Sequence, residues 1–75
     1  MAEDKDVKDM SMGERIRLVR GKRTPAEFGL LISKHKEKVF LYEANVDTPS
    51  LRTLSKIAEI GKGTVDWLFH GTPAH

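Results

Sequence analysis

The sequence lacks cysteine, and this absence excludes a disulfide framework and a thiolate metal site. It also lacks a long apolar run, since a stretch such as Leu30-Leu31-Ile32 is far too short to cross a bilayer. The first residues are charged and do not resemble a secretory signal peptide. We therefore expect a cytoplasmic protein with no membrane partner, whose core is stable alone or through association.

The chain also lacks the residue patterns of an enzyme or a metal site. His70 and His75 stand five residues apart across Pro73 with no third ligand nearby, so they do not form a metal pattern. Every serine and threonine can be explained as a helix cap or a surface residue, which leaves no candidate nucleophile. We predict a protein that is not an enzyme and that uses no cofactor and no metal.

Length and charge narrow the class of protein further. The chain has 75 residues, enough for one small domain and too few for a separate substrate or sensor domain. The net charge of +2 is uneven, with −2 on residues 1–10 and +4 on the remainder. A basic domain behind a mildly acidic tail suits a nucleic-acid binder, although small basic proteins of other kinds share this balance.

Helix start and stop signals divide the chain into short segments. Capping boxes are recognisable at Ser11-Met12-Gly13-Glu14 and at Thr24-Pro25-Ala26-Glu27. No segment alternates with period two, so no strand is predicted. We predict an all-α domain over residues 11–72, a disordered N-terminal tail over 1–10 and a C-terminal tail over 73–75. The predicted helices are 12–21, 25–32, 35–43, 50–60 and 65–70.

The apolar spacing within these segments predicts which side chains form the core. The clearest helical period belongs to the fourth segment. The predicted core residues of the first four helices are Met12, Ile16, Val19, Phe28, Leu31, Ile32, Val39, Tyr42, Leu51, Leu54, Ile57 and Ala58.

Four short motifs follow one another along the chain in an order that is typical of one family. They are Gly13-Glu14-Arg15-Ile16-Arg17, Tyr42-Glu43, Pro49-Ser50-Leu51 with Lys56-Ile57-Ala58-Glu59, and Asp66-Trp67-Leu68 with Gly71. In this order and spacing the chain resembles the Cro and phage-repressor (XRE-type) family of helix-turn-helix DNA-binding regulators, over roughly residues 13–72. The resemblance implies a compact, lambda-repressor-like bundle of five helices, with the third as recognition helix.

The same resemblance implies which residues read DNA bases. Lys36, Glu37 and Leu41 fall at the family's base-reading positions, with Lys38 and Phe40 beside them. A lysine can donate to guanine O6 or N7, a glutamate can accept from cytosine N4, and apolar side chains can meet thymine methyl groups. The residues expected to contact phosphate are Arg17, Arg20, Lys22, Arg23, Thr24, Lys34 and Arg52. The position of Glu43 implies a brace for the loop that follows it.

Several positions depart from the family pattern. Pro25 stands where the family usually has a glutamine, and Gly29 is the small residue of the second helix. Ser33 replaces the turn glycine. The loop after the third helix, often basic, holds Asn45 and Asp47 instead.

Two functions follow from these features. The first is a sequence-specific regulator, a repressor that binds double-stranded DNA as a homodimer at a palindromic operator and is nucleoid-associated when bound. Its expected dimer contact is formed by Trp67, Leu68 and Phe69. The alternative is an antitoxin-like or regulator-binding module that uses Phe40 and Leu41 to anchor a protein partner. The missing glutamine and the acidic loop favour this alternative slightly, whereas the lysines around the third helix favour DNA.

Overall fold

The computed structural model describes residues 10–71, and within this range the chain forms helices and no strand. The predicted all-α class is confirmed. Nearly all of the two predicted tails lies outside the described residues. The helices are α1 (Met12–Arg20), α2 (Pro25–Ile32), α3 (Lys36–Glu43), α4 (Leu51–Ile60) and α5 (Val65–His70).

The helix starts are set by local side-chain caps. The Ser11 hydroxyl accepts a hydrogen bond from the Glu14 backbone N–H at 3.2 Å, and the Ser11 N–H donates to the Glu14 carboxylate at 2.8 Å. Thr24 and Glu27 form the same reciprocal pair, with Pro25 as the first helical residue. Both predicted capping boxes are therefore confirmed, and each satisfies backbone N–H groups that a helix start leaves without partners.

Three predicted helix boundaries differ from the structure by one residue. His35 and Ser50 were expected to be the first residues of their helices, but both are N-caps with extended backbone. Gly21 was expected to be the last residue of the first helix, but it has φ 61° and lies beyond the end of α1. In each case the flanking residue bonds to the helix without sharing its dihedral angles.

The core lies where α1, α2, α3 and α4 meet, and α5 closes it. Its buried apolar residues are Ile16, Phe28, Ile32, Val39, Tyr42, Leu54, Ile57, Ala58 and Leu68. Met12 and Val19 pack against this cluster but are only partly buried. Most of the predicted core is therefore in place.

Two predicted core residues are wrong. Leu31 is 50% exposed because the buried side of α2 runs through Phe28, Gly29 and Ile32, and a helix turns Leu31 away from Gly29. Leu51 is 68% exposed, since it opens α4 at the edge of the core.

The turn between α2 and α3 contains Ser33 at the position where a glycine was expected. Ser33 takes the left-handed conformation with φ 60° and ψ 43°, which glycine adopts at lower cost. The Lys34 N–H donates a hydrogen bond to the Gly29 carbonyl at 2.8 Å. The turn also passes so close to Gly29 that a Cβ on this residue would clash with the Lys34 carbonyl oxygen. The small residue on α2 thus lets α3 fold back tightly.

None of the helices in the described part of the chain has the length and apolar character needed to cross a membrane.

Candidate nucleic-acid interface

The start of α3 is fixed by a histidine cap. His35 Nδ1 accepts a hydrogen bond from the Glu37 backbone N–H at 3.2 Å, and the His35 carbonyl accepts from the Lys38 N–H at 2.9 Å. Lys36 and Glu37, the first two residues of the helix, are exposed. Their side chains therefore extend to solvent from a helix end whose backbone is held in place.

The two faces of α3 differ sharply. Val39 is fully buried and Tyr42 is 4% exposed, and burial raises the pKa of the Tyr42 phenol. On the outer face Phe40 is 54% and Leu41 is 39% exposed. The structure thus brings four of the five predicted base readers to one open surface with their side chains unengaged in ion pairs among the described residues.

Lys38, the fifth, is also exposed but is engaged by an acidic residue. Its ammonium group donates to the carboxylate of Asp47 in the loop after α3. This hydrogen bond raises the pKa of Lys38 and is the largest cause of the lowered pKa of Asp47. Lys38 is thus paired with Asp47 in this structure, and its role in reading bases stays a prediction.

Arg20, which was predicted to contact phosphate, is likewise engaged by an acidic residue. Its guanidinium forms a bidentate pair with Glu43, with distances of 2.6 Å from Nε and 3.2 Å from a terminal nitrogen. The hydrogen bond to Glu43 raises the pKa of Arg20. Side chains in this pair are only 15% and 11% exposed. Glu43 therefore braces the end of α1 instead of the following loop.

The loop after α3 is held by Asn45. Its backbone has φ 61°, and its side-chain oxygen accepts from the Gly13 N–H at 2.9 Å. Its amide nitrogen donates to the Ser11 hydroxyl at 2.9 Å. Asn45 was noted in the sequence only as a departure from a basic loop, and the structure shows that it ties this loop to the start of α1.

The remaining predicted phosphate contacts fall into two groups. Arg17, Lys22 and Arg23 are exposed at the end of α1 and in the connection to α2. Thr24 is exposed there too, but its hydroxyl caps α2. At a separate place, Lys34 and Arg52 line one cleft between the α2–α3 turn and α4.

Sequence reasoning missed two charged residues. Arg15 is only 4% exposed and donates to the Leu68 carbonyl at 2.7 Å, so it links α1 to α5. Lys56 lies beside Arg52 in the cleft. A signal for Lys56 was available, because residues four apart on a helix share a face and Arg52 was already a candidate.

The three residues of the predicted dimer contact differ in exposure. Leu68 is fully buried in the core of its own chain, so its prediction as a subunit contact is wrong. The reason is that α5 closes the bundle by inserting Leu68 into the core. Trp67 is partly buried, and Phe69 is 46% exposed with its ring 5.6 Å from that of His70.

These features define a class of protein: a five-helix domain in which α2, a tight turn and α3 form a helix-turn-helix with one exposed, partly basic helix. Solved structures of this class are similar to the chain, and they are phage repressors. A crystal structure of the P22 c2 repressor in complex with synthetic operator 9T, in the presence of Tl+, matches with a TM-score of 0.78 and 25% identity, over 84% of this chain and 98% of that chain.

A solution NMR structure of the DNA-binding domain of the P22 c2 repressor matches with a TM-score of 0.75 and 24% identity, over 87% of this chain and 88% of that chain. A scan of protein-family models gives no match, and neither does a search of the curated proteins. The structural neighbours are helix-turn-helix phage repressors of the Cro type, so the resemblance predicted from the sequence is confirmed.

Proposed function

We propose that this protein is a sequence-specific DNA-binding repressor that places α3 in the major groove. The observation that carries the proposal is the agreement in fold with the P22 c2 repressor, a protein whose crystal structure contains operator DNA. The exposed first turn of α3 supports it, since recognition helices of this class contact base edges with their N-terminal residues.

Base reading is assigned to the open surface of α3. Lys36 donates to guanine, and Glu37 accepts from the N4 amino group of cytosine. Phe40 and Leu41 contact thymine methyl groups, which gives these exposed apolar side chains a partner. Lys38 contributes only where DNA draws it away from Asp47.

Phosphate contacts position this surface. Lys22 and Arg23 lie in the connection that leads into α2, where the helix dipole and the exposed cations both favour a phosphate. Arg17 adds an exposed cation in the last turn of α1. Lys34 and Arg52 supply positive charge on the other side of the turn. Thr24 contributes at the N-cap of α2, as far as its capping bond allows.

Selective binding to an operator requires two copies of the chain. A single short recognition helix reads only a few base pairs, too few to be selective in a genome. We assign the two-fold contact to the exposed part of α5, with Phe69 and Trp67. Such a dimer would set two recognition helices about 34 Å apart, one turn of DNA, facing a palindrome. The protein would then act in the cytoplasm on nucleoid DNA.

Selection of bound fragments from random-sequence DNA tests this function. We expect a palindromic consensus whose half-sites are spaced by one helical turn. Absence of any enriched sequence would contradict the proposal. The alternative, an interaction module, is not favoured by the neighbours, and it predicts a different result: no DNA enrichment, and loss of binding to a co-purifying protein in Phe40→Ala.

A further inference from the structure

A cleft of about 340 Å³ separates the α2–α3 turn from the first half of α4. We call it the basic cleft. Its lining residues are Ile32, Ser33, Lys34, Ser50, Arg52, Thr53 and Lys56.

The charge of the basic cleft is of one sign. Lys34, Arg52 and Lys56 line it, and no carboxylate does. None of these three residues forms an ion pair within the part of the chain that the structure describes. Lys34 also helps to lower the pKa of the nearby Asp47 carboxyl, which leaves Arg52 and Lys56 as the cations without an acidic partner among the described residues. Like charges held around one concavity repel one another, and an anion placed between them removes that cost.

The arrangement of the cations suits a small polyoxyanion. Arg52 and Lys56 are four apart on α4 and share one face of that helix, while Lys34 approaches from the turn on the opposite side. The hydroxyl of Ser50 is already used, since it accepts from the Thr53 N–H at 3.3 Å and lies 3.2 Å from the Thr53 hydroxyl. Binding must therefore come chiefly from the three cationic side chains.

The position of the cleft connects it to the recognition helix. Lys34 also lines a shallow depression with His35 and Lys36, at the start of α3. A group bound between Lys34 and α4 would therefore lie on a surface that continues to the start of α3, where Lys36 is located.

We propose that the basic cleft binds a phosphate group, and that Lys56 is one of its ligands. This inference rests on the proposed function: the phosphate is one of the DNA backbone, next to the base pairs that the start of α3 contacts. Lys56 then determines how firmly α4 holds the operator while contributing nothing to the choice of base.

The first experiment measures DNA affinity against salt concentration on the operator recovered from random-sequence selection. The variants are Arg52→Gln and Lys56→Gln, with Lys62→Gln as the matched control. Lys62 is an exposed lysine beyond the far end of α4 and outside the cleft. Each cleft variant should reduce the steepness of log K against log salt by about 0.9, because one phosphate contact is lost. The control should leave the slope unchanged, and all variants should keep the sequence preference.

A second experiment identifies the source of the phosphate. Inorganic phosphate is titrated into the free protein while the backbone amide signals of Ser33, Ser50 and Arg52 are followed by NMR. Saturable shifts that disappear in Lys56→Gln and persist in Lys62→Gln, with DNA slopes unchanged, would support the cleft as a site for a free phosphate. Unchanged slopes together with no saturable shifts would overturn the proposal.

The outcomes also separate this inference from the proposed function. If the wild-type protein selects no DNA sequence, the repressor function fails, and the phosphate titration still decides on the cleft. If it selects an operator but the cleft variants behave like Lys62→Gln in both experiments, only the cleft proposal fails.

Discussion

The loop after α3 and the basic cleft both contain charged residues on elements next to α3, yet these residues differ in their partners. In the loop region, Asp47 is paired with Lys38, and Asn45 is bonded to Gly13. Just before it, Glu43 is paired with Arg20. Polar groups on this side of the domain hold backbone segments together.

In the basic cleft none of the cations forms an ion pair among the described residues, although Lys34 is near enough to Asp47 to help lower the pKa of that carboxyl. Lys34, Arg52 and Lys56 converge without a carboxylate among the lining residues. Proximity to α3 alone therefore does not leave a charged residue open to a ligand. What matters is whether the fold already supplies its counter-ion, as it does for Lys38 and does not for Arg52 and Lys56.

The largest expected effect comes from removing the core that supports both regions. Leu54 is 1% exposed beneath α4, and Leu54→Ala should lower the free energy of unfolding by about 2–5 kcal/mol, because it leaves a cavity. Denaturant unfolding measures this loss.

Leu51→Ala is the matched control in the same helix. Leu51 is 68% exposed, so its replacement should change stability by no more than about 0.5 kcal/mol. Equal losses in the two variants would mean that the buried face of α4 is assigned wrongly.

The sequence predicted the fold well because its signals are local. The boxes Ser11–Glu14 and Thr24–Glu27 satisfy their own backbone groups within one turn, so each helix start can be read without knowledge of the rest. The burial of Leu54, Ile57 and Ala58 follows likewise from helical spacing.

The sequence could not predict which charges are paired. Arg20 and Glu43 are separated by 23 residues and meet only because α1 packs on α3. The exposure of Leu31 depends on how closely the turn approaches Gly29, which is a tertiary contact. The short apolar segment around Leu68 suggested a subunit contact, whereas this side chain is buried in the core of its own chain.

The next effect concerns base reading. Lys36→Ala should reduce discrimination between operator and random DNA by about 1–3 kcal/mol, because a donor to one base pair is lost. Competition binding with both DNAs measures the ratio of affinities.

Arg52→Ala provides the contrast, since a phosphate contact should weaken binding to operator and random DNA equally. If Lys36→Ala lowers both affinities by the same factor, Lys36 is another phosphate contact, and other residues of α3 must read the bases.

A smaller effect is expected at the Arg20–Glu43 brace. Glu43→Gln removes the charge from a mostly buried pair and should lower the free energy of unfolding by about 1 kcal/mol. We expect no change in sequence discrimination, because Glu43 and Arg20 are engaged with each other at the end of α1 and lie outside the predicted base-reading residues. Thermal unfolding and competition binding test the two statements.

Glu59→Gln is the control, because Glu59 is exposed on α4 and its replacement should leave the free energy of unfolding almost unchanged. A gain in DNA affinity for Glu43→Gln, beyond the general effect of one removed negative charge in Glu59→Gln, would indicate that the released Arg20 reaches a phosphate.

The smallest effect belongs to Lys38 and Asp47, both on the surface. Lys38 lowers the pKa of Asp47 below its usual value of about 3.9. A carboxyl group whose pKa is lowered by folding adds stability above its unfolded pKa and loses it as pH falls through the folded pKa. The contribution should therefore be complete at neutral pH and disappear only in acid. NMR titration of the Asp47 carboxyl carbon measures this pKa.

Lys38→Gln should return the pKa of Asp47 toward its usual value, and Lys62→Gln, with the same loss of charge elsewhere, should not. The converse variant, Asp47→Asn, frees Lys38 beside the groove-reading surface. We expect it to steepen the salt dependence of DNA binding by up to about 0.9, because one more cation can then meet a phosphate. A slope identical to that of the wild type would mean that DNA already breaks the Lys38–Asp47 ion pair. This ion pair, which distinguishes the loop from the basic cleft, would then exist in the free protein alone.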